Sequence, residues 1–326
     1  MSKKAAALFF SLAILLTGCF APGAENPEIS GIDDYAAVIC ESVESSRELC
    51  QIYMIDIQTG WALTKENELL FTDAGPERFS VVRKVDGAAA DGFLCAAFLD
   101  AGTAYLAWFS EADGLLTVEH TGDGGDSWEK TFLDYTGFGD SCDAGSVYLS
   151  FADEKKGYLL YCSTPAAGSM VKILLETADG GKSFAVAADL TDQIAGYPQG
   201  IAFHGDKGYL AVSYHGKDSY LYTTSDGGIT WEDEKIDPAL SGAAGEISYI
   251  DGYPPVFSGQ DSDEGMLILK IVGNKTAYRI WRTADGGDSW TVFGEIPCDS
   301  LAGYALTGDG DILFLDGMGK LYRVSD

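Results

Sequence analysis

Arginine, histidine and proline are scarce in this sequence of 326 residues. Six arginines and 15 lysines oppose 50 aspartates and glutamates, and the formal net charge is −29. Such a chain repels phosphate backbones, so no nucleic-acid partner is predicted. The three histidines, His120, His204 and His215, are scattered, and no C-x-x-C pair occurs, so no metal site is predicted. The sequence also lacks a phosphate-binding loop and a Gly-x-Ser-x-Gly elbow, and no cofactor is predicted.

Long hydrophobic runs are also missing, except for Ala5–Leu16 at the N-terminus. This run is shorter than the roughly 20 residues of a membrane-spanning helix and follows two lysines, which is typical of a signal peptide. It ends in Leu-Thr-Gly-Cys19, which resembles the lipobox of bacterial lipoproteins. The resemblance implies that residues 1–18 are removed, that Cys19 carries lipid and that the protein is extracytoplasmic. An ordinary signal peptide with an incidental Cys19 is the alternative.

The remaining chain divides into a predicted flexible tether, residues 19–34, and a folded domain, residues 35–326. No later segment is apolar enough to span a membrane, so the lipid is the only membrane contact predicted. The domain has an even number of cysteines, which permits three disulfides in an oxidising compartment. These cysteines are Cys40, Cys50, Cys95, Cys142, Cys162 and Cys298. Cys40 and Cys50 could bridge adjacent strands, whereas the others could equally be buried thiols.

One eight-residue pattern, [ST]-x-D-G-G-x-[ST]-[WF], occurs four times. The copies are Thr121–Trp128, Thr177–Phe184, Thr224–Trp231 and Thr283–Trp290. The pattern resembles the Asp-box, or bacterial neuraminidase repeat (BNR), of sialidase-like β-propellers. Two decayed copies are present at Phe71–Gly75 and Tyr322–Asp326. Four copies at intervals of 56, 47 and 59 residues predict a repeated structural unit.

The residue types of the box suit a tight hairpin turn. Asp-Gly-Gly allows positive φ, and the carboxylate can accept backbone N–H groups across the turn. The final aromatic residue then points into the core as the next strand begins. We therefore predict structural roles for the box aspartates and aromatics, rather than catalytic or calcium-binding roles. These residues are Asp123, Trp128, Asp179, Phe184, Asp226, Trp231, Asp285 and Trp290.

Alternating β-rich segments around each box predict an all-β fold of four-stranded antiparallel blades. The clearest unit comprises strands at Gly200–His204, Gly208–Tyr214, Ser219–Thr224 and Thr230–Ile236. Boxes and remnants together predict a six-bladed β-propeller. Seven blades are possible if residues 237–275 hide another hairpin. The segment Tyr35–Val43 has no blade of its own, and we predict that it pairs with Lys320–Val324 and closes the ring, which removes exposed sheet edges.

Propellers of the sialidase-like class resemble one another in binding ligands on the face opposite the boxes. The longest predicted loops on that face are Asp134–Gly145, Leu190–Gln199 and Asp237–Pro254. Aromatic and acidic side chains there could stack sugars or grip a peptide. The candidate binding residues are Tyr135, Phe138, Asp140, Tyr197, His215 and Tyr253. Alternatively, the aromatic residues hold the loops against the disc.

Sialidase activity does not carry over to this chain. That family uses three arginines for the substrate carboxylate and an Arg-Ile-Pro motif near the first blade, whereas Tyr278-Arg279-Ile280-Trp281 lacks the proline and leads into a box. The domain resembles the broad Asp-box propeller superfamily, which includes photosystem assembly propellers and sortilin-type ectodomains. We predict a monomeric, non-catalytic binding or assembly protein that engages a protein or glycan. The alternatives are a glycan-cleaving hydrolase and a structural element of an envelope complex.

Overall fold

The computed structural model describes residues 39–43, 47–86, 88, 94–110, 114–138, 144–166, 168–214, 220–234, 236, 247–259 and 262–325. The predicted signal peptide, the tether and Cys19 lie outside these residues. Within them the chain forms 25 β-strands and one short 3-10 helix, Pro76–Arg78. No helix in this part is long and apolar enough to cross a membrane. The predicted all-β fold is confirmed.

The first half of the chain contains three antiparallel sheets and, before them, an N-terminal strand that is separate from these sheets. The separate strand is β1 (Ile39–Val43). The first sheet contains β2 (Leu49–Met54), β3 (Gly60–Thr64), β4 (Glu68–Thr72) and β5 (Ser80–Lys84). The second contains β6 (Cys95–Phe98), β7 (Ala104–Phe109), β8 (Leu116–Thr121) and β9 (Glu129–Leu133). The third contains β10 (Ala144–Phe151), β11 (Gly157–Ser163), β12 (Lys172–Thr177) and β13 (Ala185–Asp189).

The second half forms a nine-stranded sheet and a final four-stranded sheet. The larger sheet begins with β14 (Tyr197–His204), β15 (Lys207–Tyr214), β16 (Leu221–Thr224) and β17 (Glu232–Asp233). It continues with β18 (Tyr249–Gly252), β19 (Val256–Phe257), β20 (Gly265–Val272), β21 (Thr276–Thr283) and β22 (Thr291–Ile296). The final sheet contains β23 (Leu301–Leu306), β24 (Ile312–Asp316), β25 (Leu321–Ser325) and β1, which pairs with β25.

The nine-stranded sheet contains two successive meanders. Strands β14 to β17 form one, and β20 to β22 form the other together with β18 and β19, which both pair with β20. The two meanders are joined where β15 pairs with β18, at Ser213–Asp251 and Tyr214–Ile250. The four-stranded antiparallel blade predicted from the sequence is confirmed.

Strand β17 is shorter than the predicted Thr230–Ile236. The backbone N–H and hydroxyl of Thr230 both bind the Asp226 carboxylate, so Thr230 belongs to the turn and cannot join the ladder. The residues that do pair, Glu232 and Asp233, are exposed and acidic. Charged residues of this kind have low β propensity, and the outermost strand is correspondingly brief.

Glycine begins the second strand of several meanders because the end of the first strand packs over it. A Cβ atom at Gly157 would overlap the Phe151 ring, and one at Gly208 would overlap the Phe203 ring. Gly60 faces Met54 in the same way. The strands that follow are fully buried, as β3 and β11 are at every position, because they lie between two other strands and between neighbouring sheets.

The core consists of hydrophobic clusters that lie between neighbouring meanders. Trp61 and Leu69 of the first sheet pack with Leu106 of the second. The remaining neighbours along the chain are joined in the same manner. A further cluster joins the first sheet to the last and contains Leu49 and Leu313. Apolar burial therefore lies between meanders, which single sheets of this size could not supply alone.

The described cysteines include three free thiols, Cys50, Cys95 and Cys162. The possible bridge between Cys40 and Cys50 is therefore not formed. Burial raises the pKa of the Cys162 thiol to about 12, so this group remains protonated near neutral pH.

Candidate functional site

The Asp-box turns share one arrangement of hydrogen bonds. In the third box the Thr224 hydroxyl donates to Asp226 Oδ1 at 2.8 Å and accepts the Gly228 N–H at 3.0 Å. Asp226 Oδ1 also accepts the Thr230 N–H at 3.0 Å, and Oδ2 accepts the Thr230 hydroxyl at 2.7 Å. Equivalent bonds form around Asp123, Asp179 and Asp285.

These hydrogen bonds stabilise the ionised form of each box carboxyl group. The side chain and N–H of Ser127 lower the pKa of Asp123 to about 2, and the N–H and hydroxyl of Thr230 do the same for Asp226. The pKa values of Asp179 and Asp285 are also lowered to about 2. A carboxyl group of this kind cannot donate a proton near neutral pH, which a general acid must do.

The box glycines need both positive φ and close packing. Gly228 has φ of 91°, and a Cβ atom there would overlap Leu174 of the preceding sheet. The box aromatics close the turn, since Trp231 Nε1 donates to the Gly228 carbonyl at 2.9 Å and Trp128 Nε1 donates within its own box. Phe184 and Trp290 pack partly buried against neighbouring clusters.

Buried tyrosines connect the second, third and fourth meanders to the meander that follows each of them. The Tyr209 hydroxyl donates to the carbonyl of the box residue Gly286 at 3.0 Å. Tyr105 stacks on Phe151 with 3.5 Å between the ring centroids, and Tyr158 stacks on Phe203 with 3.6 Å between the centroids. The boxes therefore dock onto their neighbours through aromatic side chains.

A cavity with a volume of about 540 Å³ lies among the first strands of the meanders. Strands β2, β6, β10, β14, β19 and β23 all contribute to its wall. Its described lining contains no aspartate, glutamate, lysine or arginine. His204 contributes an imidazole ring to this lining. Burial raises the pKa values of Tyr253 and Tyr304 above the usual range, so both phenols are neutral. The described wall of this cavity therefore contains no carboxylate, ammonium or guanidinium group, in a chain with net charge −29.

Polar side chains of the wall form hydrogen bonds to the neighbouring first strands; these are called sideways bonds below. Gln51 and Tyr53 of β2 donate to the carbonyls of Ala96 and Leu99. The Ser150 hydroxyl of β10 accepts the Phe203 N–H at 2.8 Å.

Two more tyrosines make the same type of contact. Tyr148 donates to the Pro198 carbonyl at 2.7 Å, and Tyr304 donates to the Pro254 carbonyl. These bonds hold adjacent first strands together.

The four predicted binding residues that the structure describes do not form one surface. Tyr253 lines the cavity. Tyr135 is only 9% exposed and packs against Tyr161, and Phe138 packs on the same ring. Tyr197 packs against a different cluster, between the third and fourth meanders. Asp140 and His215 lie outside the described residues. For Tyr135, Phe138 and Tyr197 the contacts are those of loop residues held against the core.

Sequence reasoning missed the wall of the cavity because it looked for a site on loops. Residues such as Gln51, Ser150 and Ala202 lie within strands. The sequence feature that could have indicated them is the alternation of side-chain directions along each first strand.

A second repeated turn was also missed. The carboxylates of Asp56, Asp100 and Asp153 each accept the N–H groups two and three residues later, at 2.7 Å. A recurring aspartate ahead of the second strand could have indicated this turn. No group of three or more His, Cys, Asp or Glu residues that could hold a metal occurs in the described part of the chain.

Four-stranded antiparallel blades that carry Asp-box turns define a BNR-type β-propeller. Residues 140–325, more than half of the chain, match the model of the family "Photosynthesis system II assembly factor YCF48", and the chain belongs to this family. No curated protein matches the sequence.

Several solved structures are similar in fold. YCF48 from Cyanidioschyzon merolae is 13% identical, with a TM-score of 0.50 over 88% of this chain and 99% of that one. A structure of YCF48 bound to D1 peptide is 16% identical, with a TM-score of 0.47 over 90% and 98% of the two chains. A GH74 xyloglucanase from Xanthomonas campestris is 15% identical, with a TM-score of 0.52 over 87% of this chain but only 53% of that one. Likeness at this level of identity shows the fold alone.

Proposed function

We propose that this protein is a non-catalytic binding or assembly factor that engages a protein partner at the cavity formed by the first strands. The observation that carries the proposal is the described wall of this cavity, which contains no aspartate, glutamate, lysine or arginine. Membership of a family named for photosystem II assembly supports a protein as the partner. The charge of −29 opposes a nucleic-acid partner. We further propose that the protein acts as a monomer.

The proposed architecture is a closed ring of six blades, in which the nine-stranded sheet counts as two blades. Six first strands that share one cavity support this count. The hydrophobic clusters between successive meanders, together with the cluster that joins the last sheet to the first, support a closed ring. Pairing of β1 with β25, from Ile39–Ser325 to Val43–Leu321, supports closure by the N-terminal strand.

A glycan-cleaving hydrolase is the less favoured alternative. Most glycoside hydrolases place two carboxyl groups about 5–10 Å apart across the scissile bond. The described wall of the cavity provides no carboxyl group. The box aspartates bond within their own turns, and we infer that their role is structural.

Site-specific photo-crosslinking tests the proposed site. In cells that make the protein, p-benzoylphenylalanine replaces Gln199, an exposed residue of the cavity wall, or Phe132, an exposed residue of the outer strand β9. We expect a discrete protein adduct from position 199 and none from position 132.

The purified protein is also assayed for release of reducing sugar from β-glucans and sialosides. Absence of a protein adduct at position 199, or glycan hydrolysis that persists through purification, would count against the proposal.

We also propose that the protein is exported and anchored to the membrane by lipid on Cys19. The basic start, the short apolar run and the Leu-Thr-Gly-Cys sequence support this proposal. Cys19→Ala should move the protein from the detergent fraction to the soluble fraction. The control Cys50→Ala should leave the protein in the detergent fraction. Membrane retention of Cys19→Ala through a carbonate wash would contradict a lipid anchor.

A further inference from the structure

We propose that the cavity takes an extended and uncharged polypeptide segment of the partner, whose backbone pairs with the inner edges of the first strands. This inference rests on the proposed function and specifies the chemistry of the segment. It combines the charge of the wall, the edges of the sheets and the space inside.

The charge of the wall excludes anionic segments. A buried carboxylate is costly unless a cation or several hydrogen bonds compensate it, and the described wall contains no lysine or arginine. The net charge of −29 adds long-range repulsion for the same groups. Buried cations would also be unpaired, since the described wall lacks carboxylates. Uncharged segments are therefore favoured.

The edges of the sheets make a polypeptide the suitable occupant. Strands β2, β6, β10 and β23 each end a sheet, so each pairs on one side only. An edge strand presents unpaired N–H and C=O groups that can add an extended peptide.

Sideways bonds from the wall already occupy some of these groups, because Gln51 binds the Ala96 carbonyl of β6 and Tyr53 binds the carbonyl of Leu99, directly after β6. The backbone of Leu149 on β10 likewise binds the Cys95 thiol of β6, whereas no such bond reaches the backbone of β2 or β23 among the described hydrogen bonds of the wall. The edges of β2 and β23 are therefore the places where a peptide would pair.

Small residues provide the space. Ala97, Ala202 and Ala302 lie on three different first strands, are partly exposed and line the cavity. Strand β23 has six residues, and at about 3.3 Å per residue it matches a peptide of similar length. The rings of Tyr253 and Tyr304, 6.0 Å apart in an edge arrangement, offer aromatic contact to apolar side chains.

Three peptides and the full-length protein test the chemistry of the occupant. The neutral probe is Ac-Ser-Ala-Phe-Ala-Leu-Ala-Ser-NH2, and the acidic probe carries Glu and Asp in place of Phe and Leu. The third probe is the neutral sequence with N-methyl groups on alternate residues, which prevents strand pairing. By fluorescence anisotropy with a labelled neutral peptide, we expect at least tenfold weaker binding of the acidic and N-methylated probes.

Substitutions in the protein provide a second test. Ala202→Trp should fill the cavity and weaken binding of the neutral peptide at least tenfold, whereas Val186→Trp on the exposed face of β13 should not. Ala97→Lys should improve binding of the acidic peptide at least fivefold, and Val186→Lys should not. Circular dichroism checks that each variant is folded, and the peptide comparison does not depend on any variant.

The possible failures are distinguishable. Equal binding of the neutral and acidic probes, or no binding of any probe, would overturn this inference. Normal affinity of the N-methylated probe would overturn the pairing. A protein crosslink from position 199 would nevertheless leave the proposed function in place, whereas loss of that crosslink would remove both.

Discussion

The hydroxyl of Thr224 should be essential to the third Asp-box turn. This side chain is 4% exposed, and its oxygen takes part in three bonds: it donates to Asp226 Oδ1 and accepts the N–H groups of Asp226 and Gly228. In Thr224→Val, the valine side chain has nearly the same shape as threonine and is also branched at Cβ. The substitution therefore removes the hydrogen bonds while it preserves the packing of the side chain.

The expected magnitude follows from these bonds. The contact with the Gly228 N–H at 3.0 Å is buried, and leaving a buried donor unsatisfied costs about 1–3 kcal/mol. The bonds that involve Asp226 are partly solvated and should add less. We expect a total loss of about 2–3 kcal/mol in the free energy of unfolding. At about 2–4 °C per kcal/mol, Tm should fall by about 4–12 °C.

The neighbouring residue Thr223 provides a matched control. Its side chain points to the opposite face of β16 and makes no hydrogen bond in the described structure, so Thr223→Val should change Tm little. Differential scanning calorimetry of the two variants measures the difference directly. Equal Tm values for Thr224→Val and the wild type, with both proteins folded, would refute the structural role of the box hydroxyl.

Three further outcomes are expected. The folded pKa of Asp226 is about 2 and lies below its unfolded value of about 3.9, so its contribution is present above pH 4 and is lost as pH falls to 2. The Tm difference between wild type and Asp226→Asn should therefore shrink over that range, and a difference that grows would contradict the carboxylate bonds. Tyr209→Phe should lose about 1 kcal/mol in urea unfolding, because it removes the hydrogen bond to the Gly286 carbonyl; an unchanged midpoint would count against that contact. Gly228→Ala should be more destabilising than Gly310→Ala in thermal melts, because both have positive φ but only Gly228 lacks space for a Cβ atom, and the reverse order would be inconsistent with this packing.

Local structure was the most predictable part of the fold. The box turns depend on residues within eight positions of one another, and Asp-Gly-Gly restricts the backbone strongly enough to be recognised in sequence. The structure places Asp123 and Asp226 in the same hydrogen-bonded turn although they lie in different sheets. The length of β17 was predicted wrongly because Thr230 serves the turn rather than the strand.

The candidate site was less predictable. Tyr135 and Tyr253 are both aromatic residues in predicted loops, and nothing local distinguishes them. Packing does so, because Tyr135 lies against Tyr161 in the core whereas Tyr253 lies at the cavity. An aromatic ring can serve either purpose, and its exposure depends on strands that are distant in sequence.

The sequence by itself determined the repeated turn, the all-β character and the excess of acidic charge, because each depends on neighbouring residues or on composition. Tertiary structure decided that Gln51, Ser150 and Ala202, which come from three separate sheets, face one cavity whose described lining contains no aspartate, glutamate, lysine or arginine. The physical reason is that no single first strand forms the whole wall of the cavity. The wall exists only after the apolar faces of neighbouring sheets have been buried against each other and have brought these strands together.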